Sequence, residues 1–118
     1  MGVRGTVVNH NYTRKSYNPR GYKSFEEFYP FYLGEHCDIN NRRLHLVGTS
    51  FSLLLVVLMI TVGPLYLGLV ALVQGYGFAW IGHFFFEKNK PATFKHPFYS
   101  LMGDMLLLWE VVTGARSF

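Results

Sequence analysis

Two histidines stand at matched distances from a Gly-Pro pair that is typical of a tight turn. His45 lies 18 residues before Gly63, and His83 lies 19 residues after Pro64. At a rise of about 1.5 Å per residue, each histidine is about 27–28 Å from that turn if both flanking segments are helical. We therefore expect the two imidazoles to lie side by side at one end of an antiparallel helical hairpin.

Three further residues can reach the same level. His36 precedes a short polar link that leads to His45, and Glu87 lies one helical turn after His83. His96 closes the polar segment that begins after Glu87. Neutral imidazoles together with a carboxylate suit iron or zinc. The sequence thus predicts a metal centre whose ligands are His36, His45, His83 and His96.

Nearby acidic and amide side chains are candidates to orient these imidazoles. A ligating histidine needs a hydrogen-bond acceptor for its second ring nitrogen, and Glu35, Asn41 and Asp104 are expected in that role. Glu87, Glu35 and Asp104 are also the acid–base candidates. The simpler alternative is that each histidine is a hydrogen-bonded packing residue and that Glu87 forms an ordinary salt bridge with the lysines beside it.

The element that must position these residues is a long uncharged run. Half of the 118 residues are hydrophobic and 15% are charged, against about a quarter in an average soluble chain. No Asp, Glu, Lys or Arg occurs in the 43 residues from Leu44 to Phe86. Because about 20 residues cross the hydrocarbon core of a bilayer, the run predicts two transmembrane helices of about 43–62 and 65–87, joined by the Gly-Pro turn.

Two shorter helices complete the predicted all-α membrane bundle. Ser24 and Glu27 form a capping box, which predicts a helix of about 25–37 whose aromatic stripe favours a position in the membrane interface. Pro97 is suited to the first turn of a last helix of about 97–113. Glycines recur every seven residues in the second half of the hairpin and predict a seam of close helix contact: Gly68, Gly75 and Gly82.

The segments outside the hairpin are polar and basic. Residues 1–23 read as an irregular polar arm before a single helical membrane domain, 24–118. Such an arm is ordered only if the domain's own surface or a partner chain holds it, which raises the possibility of a larger membrane complex. The net charge of +4 comes without a nucleic-acid motif. The basic residues flank the hairpin and place both of its ends on the cytosolic-equivalent side.

Three stretches resemble a known family. They are YKSFEEFYPFYLGEH at 22–36, NRRLHLVGT at 41–49 and GYGFAWIGHFFFEKNKPATF at 75–94. They are similar to the small membrane 2-hydroxy fatty acid dioxygenases, whose fungal member acts in the breakdown of phytosphingosine to odd-numbered fatty acids. The resemblance covers about residues 22–115.

The resemblance implies an iron(II)-dependent enzyme of the endoplasmic reticulum membrane that uses oxygen to shorten a 2-hydroxy fatty acid by one carbon. It implies His36, His45 and His83 as motif histidines, with His96 in the following segment. The ligand types alone admit zinc as well as iron. A bacterial or mitochondrial inner membrane is the alternative location.

The sequence is compatible with three hypotheses for the function. In the dioxygenase, cationic side chains would steady the substrate carboxylate, and the candidates are Arg42, Lys88 and Lys90. The first rival is a non-catalytic or metal-retaining accessory subunit of a larger membrane complex. The second is a lipid-binding module without chemistry.

Overall fold

The chain folds into four α-helices in this computed structural model, which describes residues 12–90 and 95–118. Residues 1–11 of the predicted arm and residues 91–94 of the predicted loop lie outside the described part. The helices are α1, Phe25–Gly34; α2, Ile39–Thr61; α3, Tyr66–Ile81; and α4, Pro97–Val112. A π-helical turn, Gly82–Glu87, continues α3. The described residues contain no strand, so the predicted all-α fold with a central helical hairpin is confirmed.

The hairpin of α2 and α3 packs along the predicted glycine seam. A Cβ added at Gly75 would lie 2.6 Å from Ser52 Oγ, and one added at Gly68 would lie 2.8 Å from Met59 Sδ. The Ser52 hydroxyl also donates to the backbone oxygen of Ala71 at 2.7 Å. The two helices therefore approach so closely that the seam has no room for larger side chains.

Both halves of the hairpin are long and apolar enough to cross a membrane. Ile39–Thr61 has 23 residues and Tyr66–Glu87 has 22, and only 22% of each apolar window is buried within the protein. Their outward faces carry large apolar side chains, and near the turn Ile60, Val62 and Leu65 are 74–83% exposed. Exposed apolar faces of this extent mark a surface that contacts a membrane or another protein.

The start of α2 differs from the prediction. Asp38 caps the helix, and its carboxylate accepts hydrogen bonds from the amides of Asn40 and Asn41 at 2.8 and 3.2 Å. α2 consequently begins at Ile39, not at about residue 43, and most of the predicted polar link is its first turn. Asp38 is a strong N-capping residue, which the expectation of a linker overlooked.

α1 begins as predicted and ends early. The Ser24 hydroxyl accepts from the amide of Glu27 at 3.2 Å, as a capping box requires. The Glu27 carboxylate reaches back to the amide of Lys23 at 3.1 Å, one residue beyond the cap. The helix ends at Gly34 instead of about residue 37, which leaves His36 outside it.

The core lies at the site end of the hairpin, where α1 packs on α4. Fully buried aromatic residues of α1 meet Leu107 of α4. Gly103 lies against the ring of Tyr32, where an added Cβ would be 2.8 Å from a ring carbon. The Tyr29 hydroxyl donates to Glu110 Oε1 at 2.5 Å, and Arg116 Nε donates to the same oxygen at 2.8 Å. This core fixes α1 and α4 beside the hairpin.

The described part of the arm lies on the chain's own helices. Tyr12 is buried, and its hydroxyl donates to the backbone oxygen of Ser117 at 2.9 Å. The arm backbone crosses Gly34 so closely that an added Cβ would lie 2.7 Å from the Thr13 oxygen. Arg14 forms an ion pair with Glu87. The domain's own surface therefore accounts for the order of residues 12–23.

Candidate metal centre

Three histidines from three parts of the chain meet inside the protein. His36 follows α1, His45 lies in α2 and His83 lies in the π-helical turn. Their ring centroids are 4.6 to 5.7 Å apart, and one ring nitrogen from each lies within 4.8 Å of the other two. The matched heights of His45 and His83 on the hairpin produce this meeting, as the sequence predicts.

Each histidine uses one nitrogen on a protein group and leaves the other for the cluster. His36 Nδ1 bonds to the backbone oxygen of Tyr32 at 2.7 Å, and His83 Nδ1 bonds to Asn89 Oδ1 at 2.7 Å. His45 Nε2 is 2.5 Å from an Asp104 carboxylate oxygen. Outer partners of this kind orient metal-binding imidazoles and raise their basicity.

Two of the remaining nitrogens are orphans. His36 Nε2 and His45 Nδ1 are buried with no hydrogen-bond partner among the described residues. Buried polar atoms are normally paired, so two unpaired imidazole nitrogens in one cluster need an explanation. A metal ion supplies one, because it would accept the lone pairs of both together with that of His83 Nε2.

The charge state of His36 also fits a ligand. Burial, together with the neighbouring His45 and His83, holds the pKa of His36 well below its usual range. The imidazole is therefore neutral near pH 7, the form in which histidine binds metals.

Asp104 of α4 contacts His45 and also accepts a hydrogen bond from α1. Its Oδ1 accepts a hydrogen bond from the Tyr32 hydroxyl at 2.7 Å. Burial and the Asp104 charge raise the pKa of Tyr32, which keeps the phenol protonated as a donor. Asp104 therefore lies where the predicted orienting role requires it.

The π-helical turn sorts its side chains into two sets. His83 and Glu87 are buried, whereas the three intervening phenylalanines are exposed. Gly82 is buried against Asn41, and an added Cβ would overlap that side chain. A π-helical turn widens the backbone locally and is frequent at functional sites. An α-helix through Glu87 was predicted, and the sequence pattern carries no signal for the wider turn.

Glu87 and Glu35 do not reach the three histidines through hydrogen bonds. Glu87 Oε1 accepts from the amide of Asp38 at 2.8 Å and from Asn41 Nδ2 at 3.0 Å, and its other oxygen pairs with Arg14. Glu35 lies 3.6 Å from Arg14. The structure thus places both carboxylates in a network that joins the arm, the start of α2 and the end of the π-helical turn.

Asn41 and Asn89 contribute to the same network in different ways. The Asn41 amide donates to Glu87 and to the backbone oxygen of Glu35, so it does not accept from a histidine as predicted. Asn89 holds His83, and its amide group donates to the same Glu35 oxygen at 3.4 Å. Glu35 therefore contacts Asn89, the partner of His83, and does not itself bond to any of the three histidines.

The predicted substrate cations lie elsewhere. Arg42 is buried, its guanidinium donates to the backbone oxygens of His36 and Phe118 at 3.0 and 3.4 Å, and it covers the Tyr12 ring. Lys88 and Lys90 are exposed beyond the π-helical turn.

His96 does not join the other three histidines. Its Nε2 is 2.9 Å from the Tyr17 hydroxyl, and its ring stacks on that of Tyr99. Tyr22 and Phe28 surround it further. His96 precedes α4 by one residue, and the aromatic cluster of α1 and the arm binds it there instead of at the metal centre.

The three histidines and Asp104 line one end of an apolar cavity of about 400 Å³. From this end the cavity follows α3 toward the hairpin turn as far as Gly68. The 15 residues from His83 to Gly68 correspond to about 22 Å of helix. No lysine or arginine lines it among the described residues.

The cavity opens sideways between α3 and α4. α4 packs on α1 and α2 and makes little contact with α3. The edges of the opening carry exposed apolar side chains, which are Leu72, Tyr76 and Trp80 on α3, and Phe98, Leu101 and Met105 on α4. An apolar molecule in a surrounding bilayer would have direct access to the cavity.

Sequence reasoning missed two partners of the histidines and one cavity residue. Tyr32 lies four residues before His36, a helical spacing that places two residues on one face, so its proximity was accessible from the sequence. Asn89 and Ser100 had no comparable signal. Their positions depend on the π-helical turn and on the packing of α4.

Fold and site together define an all-helical protein with two helices able to cross a membrane and a buried three-histidine group suited to a metal. The family model described as 2-hydroxy-palmitic acid dioxygenase Mpo1-like matches residues 22–116. The chain therefore belongs to this family. No curated protein and no solved structure matches it.

Proposed function

We propose that the protein is an iron(II)-dependent dioxygenase that shortens 2-hydroxy fatty acids by one carbon within a membrane. The observation that carries the proposal is the three-histidine group at one end of a long apolar cavity. The family description names a dioxygenase of 2-hydroxy-palmitic acid, and the cavity suits an acyl chain that begins at the metal centre.

The residues that would hold the ion are His36, His45 and His83. Tyr32, Asp104 and Asn89 keep the outer nitrogens engaged, and the inner nitrogens lie within 4.8 Å of one another. A bound iron(II) ion would supply the activation of dioxygen that the reaction needs. If oxygen is the only oxidant, atom balance requires that the lost carbon leave as carbon dioxide, with one water.

The charge of the centre favours an acidic substrate. Three neutral imidazoles leave the two positive charges of the ion uncompensated, and Asp104 offsets one of them through His45. A carboxylate brought by the substrate would balance the other. Arg42, Lys88 and Lys90 are not among the residues lining the cavity, so the proposal assigns them no part in binding this carboxylate.

A membrane is the setting that the cavity requires. Its path along α3 is about 22 Å, which fits within the roughly 30 Å hydrocarbon core of a bilayer. An acyl chain would enter sideways between α3 and α4 and would keep its apolar surface away from water throughout. The endoplasmic reticulum is the proposed location, on the family resemblance alone.

Anaerobic reconstitution tests the proposal. The purified protein is loaded with iron(II) in detergent, mixed with 2-hydroxypalmitate and then exposed to oxygen. The expected product is the acid shorter by one carbon, with carbon dioxide released from C1-labelled substrate. The absence of product from protein shown to carry iron would contradict the proposal.

The accessory-subunit alternative has no observation in its favour. The prospect of a partner chain came from the polar arm, and the described part of that arm is held by Ser117, Glu87 and His96 of the same chain. The lipid-binding alternative does not account for the two buried imidazole nitrogens that lack partners.

A further inference from the structure

The cavity contains one hydroxyl that the metal centre does not explain. Ser100 of α4 is only 8% exposed, and its Oγ has no hydrogen-bond partner within residues 12–90 and 95–118. It lines the same cavity as the three histidines. Because buried polar groups in folded proteins are nearly always paired, an orphan hydroxyl on a cavity wall indicates a partner that arrives with a ligand.

Ser100 lies beside the metal centre, where the apolar part of the cavity begins. It is one helical turn before Asp104, whose carboxylate is 2.5 Å from His45 Nε2. α4 runs antiparallel to α2, since Asp104 lies opposite His45, whereas Phe118 beyond the end of α4 contacts Arg42. Ser100 is therefore displaced from His45 by about one turn toward the hairpin turn.

The other hydroxyls inside the cavity are already engaged as donors. Those of Tyr32, Thr49 and Ser52 donate to acceptors of the protein at 2.7, 2.9 and 2.7 Å. Tyr76 is 40% exposed at the edge of the opening. Among the residues that the structure describes, Ser100 is thus the buried cavity hydroxyl that can donate to a bound molecule without giving up a bond to the protein.

An acid bound in this cavity needs such a donor. Burying a carboxylate is costly unless it is paired and hydrogen-bonded, and the described lining provides no cationic side chain. We propose that the Ser100 hydroxyl donates a hydrogen bond to the carboxylate of the bound 2-hydroxy acid and thereby fixes the polar end of the substrate beside the three histidines. This inference rests on the proposed function.

Ligand binding to zinc-loaded protein tests the contact without turnover, because the same ligand types accept zinc. The affinities of 2-hydroxypalmitate and its methyl ester are measured in detergent micelles through the fluorescence of Trp80, which lines the cavity. Ser100→Ala should weaken binding of the acid roughly tenfold, because a hydrogen bond to a charged group is lost. Binding of the ester should change by less than about twofold, since its neutral carbonyl forms a weaker bond.

Ser50→Ala is the matched control. Ser50 is exposed on α2, its hydroxyl bonds to the backbone oxygen of Leu46, and it does not line the cavity. Its removal should leave the affinity of both ligands unchanged. Zinc content and thermal stability of Ser100→Ala should equal those of the wild type, which separates a binding role from a structural one.

The possible failures can be told apart. Equal losses for acid and ester, or no loss for the acid, would overturn the role of Ser100 and leave the proposed function standing. Failure of wild-type, zinc-loaded protein to bind 2-hydroxypalmitate would overturn the proposed function, and the role of Ser100 with it.

Discussion

The two ends of the hairpin differ in burial and in the interactions that stabilise them. At the site end, His36, Asn41 and His83 are 0–1% exposed, and each is hydrogen-bonded to another residue of the protein. At the turn end, Val62 and Leu65 are more than 80% exposed, and within the described residues α3 packs mainly on α2. Polar bonding therefore fixes the site, whereas close helix contact and a surrounding apolar phase support the rest.

This difference indicates a division of labour along the cavity. The proposed chemistry would take place where the protein supplies a dense polar network, and the tail of the substrate would lie where few protein groups cover the cavity. Substitutions at the two ends should consequently fail in different ways.

The largest effect is expected from removing one histidine of the cluster. His83→Ala should weaken metal binding by roughly 100-fold or more, because losing even an outer partner of a ligand typically costs 10–100-fold. His96→Ala is the control, since His96 lies in the aromatic cluster. Metal content after dialysis against a weak chelator measures both. Equal losses in the two variants would show that His96 is also a ligand and that the metal centre is not confined to the three buried histidines.

Glu87→Ala should destabilise the site end without removing a ligand. Two donors, the amide of Asp38 and the Asn41 side chain, would lose an acceptor. A buried donor left unsatisfied costs about 1–3 kcal/mol, so the free energy of unfolding in micelles should fall by about 2–6 kcal/mol.

Glu26→Ala provides the reference for that variant. Glu26 is exposed in the first turn of α1, and a surface substitution of this kind changes stability by about 0.5 kcal/mol or less. If the two variants unfold alike, the network around Glu87 does not stabilise the site end.

Substitutions at glycines of α3 should change the free energy of unfolding by less. The sign of the change should depend on whether the glycine faces α2. Gly75→Val would press a side chain against Ser52 and should cost about 1–3 kcal/mol, as overpacking does. Gly77→Ala meets no atom within 4 Å and should stabilise α3 by about 0.5–1 kcal/mol. Thermal unfolding in micelles compares them. A stabilising Gly75→Val would show that the helices do not pack along this seam.

The smallest effect is expected at Lys88, just beyond the site. Lys88 has a φ of 60°, a left-handed conformation that costs a non-glycine residue about 1–2 kcal/mol. Lys88→Gly should therefore raise the free energy of unfolding by up to about 1 kcal/mol and leave the KM for 2-hydroxypalmitate unchanged. A marked rise in KM would restore Lys88 as a binding residue.

Features that depend on chain length and periodicity were predictable from the sequence. The uncharged run and the Gly-Pro turn determine the hairpin. His45 lies beside His83 because the two histidines are nearly the same number of residues from that turn. The capping box sets the start of α1. Each of these signals is local or follows from the fixed rise of a helix.

Features that depend on side-chain competition were not predictable. Arg42 seemed available to a substrate, but backbone oxygens and the Tyr12 ring bind it. His96 is a good ligand by type, yet the Tyr17 hydroxyl and neighbouring rings hold it in another environment. The π-helical turn follows from tertiary packing around Gly82 and has no sequence period of its own.

X-ray absorption spectroscopy of the iron(II)-loaded protein tests whether the three histidines hold the metal. We expect one ion per chain with about three imidazole nitrogens at roughly 2.1 Å, the distance usual for a metal–histidine bond. We also expect the imidazole signal to be lost in a variant in which alanine replaces His36, His45 and His83 together. An oxygen-only shell, or an unchanged spectrum in that variant, would contradict the assignment of the three histidines as the metal centre.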